Sequence, residues 1–380
     1  METIKIKDVT NSVLDKAKNQ KLPYVEIGDI DVFTKQYLVK DKPVVNGALL
    51  AKKNHVLISK VRPTRGAVTI LNDNYCVSNA FVVLEARKII LPKYLFYSIA
   101  YNDRFYKYLG RLEKGTSYPS CRTSDILSYE IPIKPKPEQE KIISKLDYSD
   151  NLRQKRKEQL AILDDYLKSV FLDMFGDPRI VKKWEMIDFG DVISVLTDYH
   201  ANGSYEILRN HVELKSTPDY ALMVRTTDLE NNNFTNDVKY ITKDAYEFLE
   251  KSKVFGGEII INKIGSAGNV YLMPYLNRPV SLGMNAFLLR FSDTVNNLFI
   301  YYLLTSDYGK SIISSKVKGA VTKTIRKDAI RALRIPLPSI GLQNKFASIV
   351  GQVEQTKQKM RASLDEMDNH FNALMQRYFG

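Results

Sequence analysis

The chain has 380 residues, with 56 Lys and Arg against 43 Asp and Glu, a net charge of +13 and only two cysteines. That length predicts more than one domain, and Cys76 and Cys121 alone exclude a disulfide framework or a structural zinc site and fit a reducing cytosol. Apolar runs such as Ile259-Ile260-Ile261 fall far short of the roughly 20 residues of a membrane-spanning helix. The N-terminus lacks the apolar stretch of a signal peptide, so a cytoplasmic protein without membrane contact is expected.

In chain order, Met1-Glu2-Thr3-Ile4-Lys5-Ile6-Lys7 alternates like a strand, and Val56-Leu57-Ile58, Val68-Thr69-Ile70-Leu71 and Ala80-Phe81-Val82-Val83-Leu84 read as further strands. Pro92 to Leu109 reads as one amphipathic helix, its tyrosines Tyr94, Tyr97, Tyr101, Tyr106 and Tyr108 serving mainly to pack it on a sheet. Pro135 and Pro137 cannot sit inside a helix and therefore mark the start of a long one over Glu138–Phe175, about 57 Å at 1.5 Å per residue. Asn231-Asn232-Asn233 and Gly256-Gly257 mark turns, Ile259–Ile261 and Ala286-Phe287-Leu288-Leu289 strands, and Asn297 to Ile313 a second amphipathic helix. A second long helix follows Pro338. In it Val350, Val353, Met360, Leu364, Met367, Phe371 and Leu374 fall at alternating steps of three and four, interrupted where Lys357 takes its turn. Leu146, Leu160, Leu163, Leu167 and Val170 carry the same stripe in the first, with Ser149, Arg153 and Arg156 as a polar middle. Two such stripes predict that the helices pack on each other.

The end of the chain repeats its middle at an offset of 204. Ile131-Pro132-Ile133 recurs as Ile335-Pro336-Leu337, Gln139 as Gln343, Lys114-Gly115 as Lys318-Gly319, Arg122 as Arg326 and Phe175-Gly176 as Phe379-Gly380. Earlier in each half the offset drifts, so that Asn79-Ala80-Phe81 meets Asn285-Ala286-Phe287 and Tyr24–Asp31 meets Met223–Glu230. Each half is thus a globular segment, α+β in character, followed by a helix: residues 1–137, 138–176, 177–339 and 340–380. The net charges of these segments are +10 (23 basic, 13 acidic), −1 (7 and 8), +3 (21 and 18) and +1 (5 and 4). The excess lies in the globular segments, which points to an anionic partner, although a basic surface kept for solubility has the same signature.

Marks of catalysis on DNA are missing. No Pro-Pro dipeptide occurs, so a base-methylating pocket lacks its usual element. The only Glu-x-Lys, Glu213-Leu214-Lys215, precedes its neighbouring Pro-Asp instead of following it. Gly110–Thr116 has the glycine spacing of a phosphate loop, but Lys114 stands before the second glycine. His55, His200, His211 and His370 show no ligand spacing.

Two constellations recur in both halves. One is a strand ending in a basic residue and a glycine turn, with Lys60, Arg62 and Arg65 in the first copy and Lys263, Ser266 and Asn269 in the second. The other is the polar loop after the amphipathic helix, with Lys114, Thr116, Ser117, Tyr118 and Arg122 in the first copy and Lys318, Thr322, Lys323 and Arg326 in the second. Shared basic positions with unlike residues between them suit two readers of different sequences, with common phosphate contacts and different base contacts. Solvated turns whose charges touch nothing would look the same residue by residue.

This layout resembles the specificity subunit of type I restriction-modification enzymes. The matching stretches are Gly115-Thr116-Ser117, Ile131-Pro132-Ile133-Lys134-Pro135, Glu138-Gln139 and Phe171–Asp177, then Ile335-Pro336-Leu337-Pro338 and Gln343. Lys136 splits the usual prolines of the first copy, and Leu342 stands where Glu is usual in the second. The resemblance implies two target recognition domains separated by two long antiparallel coiled-coil helices in a pseudo-two-fold repeat. It further implies a non-catalytic subunit that reads a bipartite duplex DNA site and docks with two methyltransferase subunits and with restriction/translocase subunits. S-adenosylmethionine, ATP and magnesium would belong to those partners, with none in this chain. A stand-alone DNA-modifying or DNA-cutting enzyme and a coiled-coil adaptor that binds proteins remain the alternatives.

Overall fold

The computed structural model describes residues 2–17, 22–40, 42–115 and 117–380. The chain divides into two compact units, Met1–Leu160 with Lys359–Gly380, and Ala161–Gln358. Each unit holds one globular segment and a piece of each long helix.

In the first unit an antiparallel sheet runs in the order Thr10–Ser12, Phe81–Ala86, Val56–Ser59, Val68–Ile70. A smaller sheet centres on Tyr75–Val77, which pairs parallel with Tyr24–Val25 and antiparallel with Leu49–Ala51. Successive side chains of a strand point to opposite faces, and both faces of the larger sheet are covered. Val56, Ile58, Val82 and Leu84 join Tyr94 and Leu95 of the helical layer, whereas Leu57, Phe81 and Val83 join Val25, Leu49 and Val77 of the smaller sheet. Strand Val56–Ser59 is therefore buried at every position. Thr3–Lys5 pairs with Glu130–Pro132, tying the chain's start to the residues that lead into the long helix.

The second unit repeats this plan. Its larger sheet runs Ile193–Asp198, Ala286–Phe291, Ile259–Asn262, Val270–Leu272. Val280–Leu282 pairs parallel with Ala221–Val224 and antiparallel with Lys253–Val254, and Lys239–Ile241 adds one edge strand. Ile259, Ile261, Phe287 and Leu289 face the helical layer, and Ile260 and Leu288 face the smaller sheet. Met186–Asp188 pairs with Arg334–Pro336 as Thr3–Lys5 does with Glu130–Pro132.

Four expectations are corrected. The N-terminal strand stops at Lys5, and Ile6–Val9 turns into a short helix that buries Ile6 and Val9 in the first unit's main core. Pro92 to Leu109 forms two helices, Pro92–Ala100 and Asp103–Leu112, because the Asn102 side chain accepts the backbone N–H groups of Arg104 and Phe105 and starts a new helix there. Asn297 to Ile313 breaks in the same place, where Ser306 accepts from Gly309 N–H and separates Asn297–Thr305 from Asp307–Ser314. The first long helix begins at Lys136, so Pro137 lies within its first turn, where a backbone N–H would have no helical partner.

The long helices, Lys136–Phe175 and Ile340–Phe379, have 40 residues each. Their apolar stripes serve the globular segments as much as each other. Ile142, Leu146, Phe371, Met375 and Phe379 belong to the first unit's main core, and Leu167, Phe171, Phe175, Phe346, Val350 and Val353 to the second's. Leu163, Val170 and Leu374 pack at the margins of those cores. Leu160, Met360, Leu364 and Met367 are only partly buried.

Two related ionic clusters sit between the helices, one in each unit. Arg153, 9 % exposed, meets Asp150 on its own helix and Asp368 on the other; Lys357, 5 % exposed, meets Glu354 on its own helix and Asp164 on the other at 2.6 Å. Arg153 and Lys357, Asp150 and Glu354, and Asp164 and Asp368 are each 204 residues apart. Each polar interruption is thus met, within its own unit, by an aspartate of the other helix.

Candidate nucleic-acid interface

In both units the two constellations noted in the sequence come together. In the first, Val61 bridges to Ser120, Cys121 N–H donates to Lys60 O at 2.9 Å, and Lys60 N–H donates to Ala80 O at 2.9 Å. In the second, Ile264 bridges to Thr324, Ile325 N–H donates to Lys263 O at 3.1 Å, and Lys263 N–H donates to Asn285 O at 2.7 Å. The polar loop is pinched at its base in each copy, by the Lys114–Ser120 and Lys318–Thr324 bridges. Gly115 at φ 103° and Gly319 at φ 108° occupy the left-handed region that this pinch requires. Each site is therefore a strand-end turn clipped to a short loop by backbone hydrogen bonds, which leaves the side chains to vary.

Those side chains differ. In the first site Lys114, Ser117, Tyr118, Arg65 and Arg122 are exposed, and Lys60 and Arg62 are half-buried. None of the five cations among them is ion-paired with any described residue, so their charge is available to an outside anion. Thr116 lies outside the described residues. In the second site Lys318, Thr322, Lys323 and Arg326 are exposed, and Val321 at the loop tip is 98 % exposed. Lys263, in contrast, is committed within the chain: its ammonium donates to Asp198 at 2.9 Å, and Lys327 donates to the same carboxylate at 3.0 Å. Burial would raise the Asp198 pKa, but the two lysines outweigh it and hold the carboxyl below its usual range. Ser266 is likewise engaged by Glu230 and by Asn262, and Asn269 reaches Tyr271 OH at 3.4 Å.

The sequence did not single out Lys35. Its backbone is left-handed at φ 60°, its ammonium is buried beneath the first turn, and it donates to Gly66 O at 2.8 Å. Burial pulls its pKa down to about 8, against the opposing attraction of Asp31. Asp198, Lys327 and Glu230 also escaped the sequence reading, since nothing in their local pattern tells that they meet the turn at Lys263–Asn269.

Each globular segment is tied to its long helix through a fully buried glutamine. Gln139 accepts Leu91 N–H at 2.8 Å and donates to Ile89 O and Lys134 O; Gln343 accepts Asn296 N–H at 2.8 Å and donates to Thr294 O and Pro338 O. One amide therefore joins the loop before the amphipathic helix to the start of the long helix in both copies. Among the described residues no group of three or more His, Cys, Asp or Glu could hold a metal ion, and no helix is long and apolar enough to cross a membrane.

Two copies of one α+β fold, each carrying a two-loop site and sharing a pair of long helices, define a duplicated recognition protein. The type I restriction modification DNA specificity domain matches residues 1–161 and 181–366, and the chain belongs to that family. It is similar to the type I restriction enzyme MjaVIII specificity subunit of Methanocaldococcus jannaschii, 21 % identical over 352 residues, which cover 87 % of this chain and 80 % of that one. The MjaIX specificity subunit of the same organism is 25 % identical over 319 residues, covering 78 % and 70 %. Among solved structures, the S subunit of a type I restriction-modification system from M. genitalium shares the fold with a TM-score of 0.56 at 15 % identity, over 100 % of this chain and 96 % of that one. A chain from a study of the assembly of the type I R-M system aligns with a TM-score of 0.57 at 17 % identity, over 100 % and 97 %.

Proposed function

We propose that this specificity subunit reads a bipartite, asymmetric duplex DNA site, each recognition domain taking one part through its clipped pair of loops. The observation that carries this reading is the recurrence of one backbone scaffold with unlike exposed side chains. Such a scaffold keeps the positioning contacts constant while the base contacts change. The recognition domains are the segments 1–137 and 177–339, and the spacer segments 138–176 and 340–380 are built on the helices Lys136–Phe175 and Ile340–Phe379. Lys60, Arg62, Arg65, Lys114 and Arg122 in the first copy, and Lys318, Lys323 and Arg326 in the second, supply cations for phosphates and base edges. Lys263 and Ser266 act from within, by holding the turn.

The chain itself performs no chemistry in this reading. It docks with two methyltransferase subunits and with restriction/translocase subunits in the cytoplasm, and S-adenosylmethionine, ATP and magnesium act in those partners. The helices set the number of unread base pairs. The 40 residues of each helix, about 60 Å at 1.5 Å per residue, correspond to about 18 base pairs at roughly 3.4 Å each. Removing one heptad from both helices, about 10.5 Å, should shorten the unread spacer by about three base pairs. Sequencing the methylated sites of a host that carries the chain and its partner subunits tests both statements. A bipartite motif is expected, with a shorter spacer in the deletion variant. A contiguous motif, or an unchanged spacer in the shortened protein, would contradict the proposal.

A further inference from the structure

We infer that Arg62 is a specificity-determining residue of the first domain and reads a guanine in its half-site. The inference rests on the DNA-reading function proposed above and adds to it the base and the residue. Arg62 has a left-handed backbone, φ 46° and ψ 51°, although its side chain gains no conformational freedom from it. L-residues with a Cβ rarely adopt that region, and doing so costs stability. At the corresponding place in the second domain, 203 residues on, stands Gly265, with φ 82° and open space where a Cβ would lie. The turn geometry therefore calls for a left-handed residue in both copies. The second copy meets it with the unstrained choice, and the first keeps a strained arginine.

The strain comes with an aimed side chain. The Arg62 guanidinium lies over the Tyr118 ring at 4.8 Å, and one of its N–H groups donates to Ser117 O at 3.1 Å. Tyr118 is 72 % exposed, so its ring serves no core and its outer contact is this stack. A guanidinium has five donors in a fixed plane, and among the described residues one of them is hydrogen-bonded. Among the described residues no carboxylate forms an ion pair with Arg62, and Ser117 O is the one acceptor that its guanidinium meets. A flat guanidinium held by Tyr118 and Ser117 and free of any described carboxylate matches the O6 and N7 acceptors of guanine in the major groove; a phosphate would take the same fork, and the variants below separate the two. The second domain has no side chain at this place, and its loop tip presents Val321 in the position of Ser117, so the two half-sites should differ here.

The test uses the full chain assembled with the methyltransferase subunits of its system, and selection from randomised duplex DNA. Arg62→Gly is the informative variant because the second domain already carries glycine in this conformation, and it should fold at least as stably as the parent. Discrimination at one G·C pair of one half-site should fall roughly five- to hundredfold, with every other position unchanged. Arg62→Lys should keep overall affinity but lose the same discrimination, and Tyr118→Phe should keep both. A folded Arg62→Gly protein that retains its preference at every position, with affinity reduced alike for all sequences, would overturn the inference and make Arg62 a phosphate contact. If the parent complex shows no sequence preference at all, the DNA-reading function itself fails, a result distinct from the preceding one.

Discussion

The two recognition domains share strand order, helix breaks and backbone clips, yet they use their equivalent basic residues differently. In the first, Lys60 carries no ion pair with any described residue; in the second, its counterpart Lys263 is held by Asp198 together with Lys327. The first turn is supported from below by Lys35 on a backbone carbonyl, and the second by a carboxylate network that includes Glu230. A duplicated scaffold can thus keep its geometry while moving a cation from the surface into the frame. The higher net charge of the first segment, +10 against +3, agrees with that exchange.

The comparison can be broken most forcefully at the helix positions that each core borrows. Phe371 is fully buried in the first core, 5.0 Å from the Tyr101 ring, and its counterpart Leu167 is fully buried in the second. Phe371→Ala should cost about 3–5 kcal/mol and Leu167→Ala about 2–5 kcal/mol in denaturant unfolding. A variant of either kind with unchanged stability would show that the long helix is not part of that core. Next come the ionic clusters. Arg153→Ala removes the cation between Asp150 and Asp368, and Lys357→Ala the cation between Glu354 and Asp164. Each should cost about 2–3 kcal/mol, below the fully buried range because the carboxylates keep contact with water. Arg153 also lies over the Phe371 ring at 4.3 Å, so its loss should be the larger of the two in parallel unfolding experiments. The smallest effect should be at the glutamines. Gln139→Ala and Gln343→Ala should each cost about 1–2 kcal/mol, because a buried backbone N–H and two carbonyls lose their partner, and the two costs should match. Unequal costs would mean that the two ties are not equivalent.

Much of this architecture could be read from the residues. The offset of 204 located both long helices, the Ile-Pro strands and the two glutamines, and it placed the recurring loops in register. Other features depend on contacts between distant residues and leave no local trace. The apolar stripe through Tyr101 and Asn102 runs on as if unbroken, so the cap that splits the helix could not be seen from periodicity. The heptad pattern of Phe371 and Leu167 resembles a helix-to-helix seam, and only the fold shows that these side chains also close the domain cores. Basic residues at the sites were found by type and place, but which of them are spent internally depends on Asp198 and Glu230. Lys35 had no repeat partner to draw attention to it.

The central claim is that one scaffold is used twice, each copy reading its own part of a DNA site. The most direct test replaces residues 177–339 by a second copy of residues 1–137 and determines the sequence methylated by the complex. The account predicts a motif built from two copies of the first half-site, with the second half-site gone. A folded chimera that still selects the parent's asymmetric motif would contradict it.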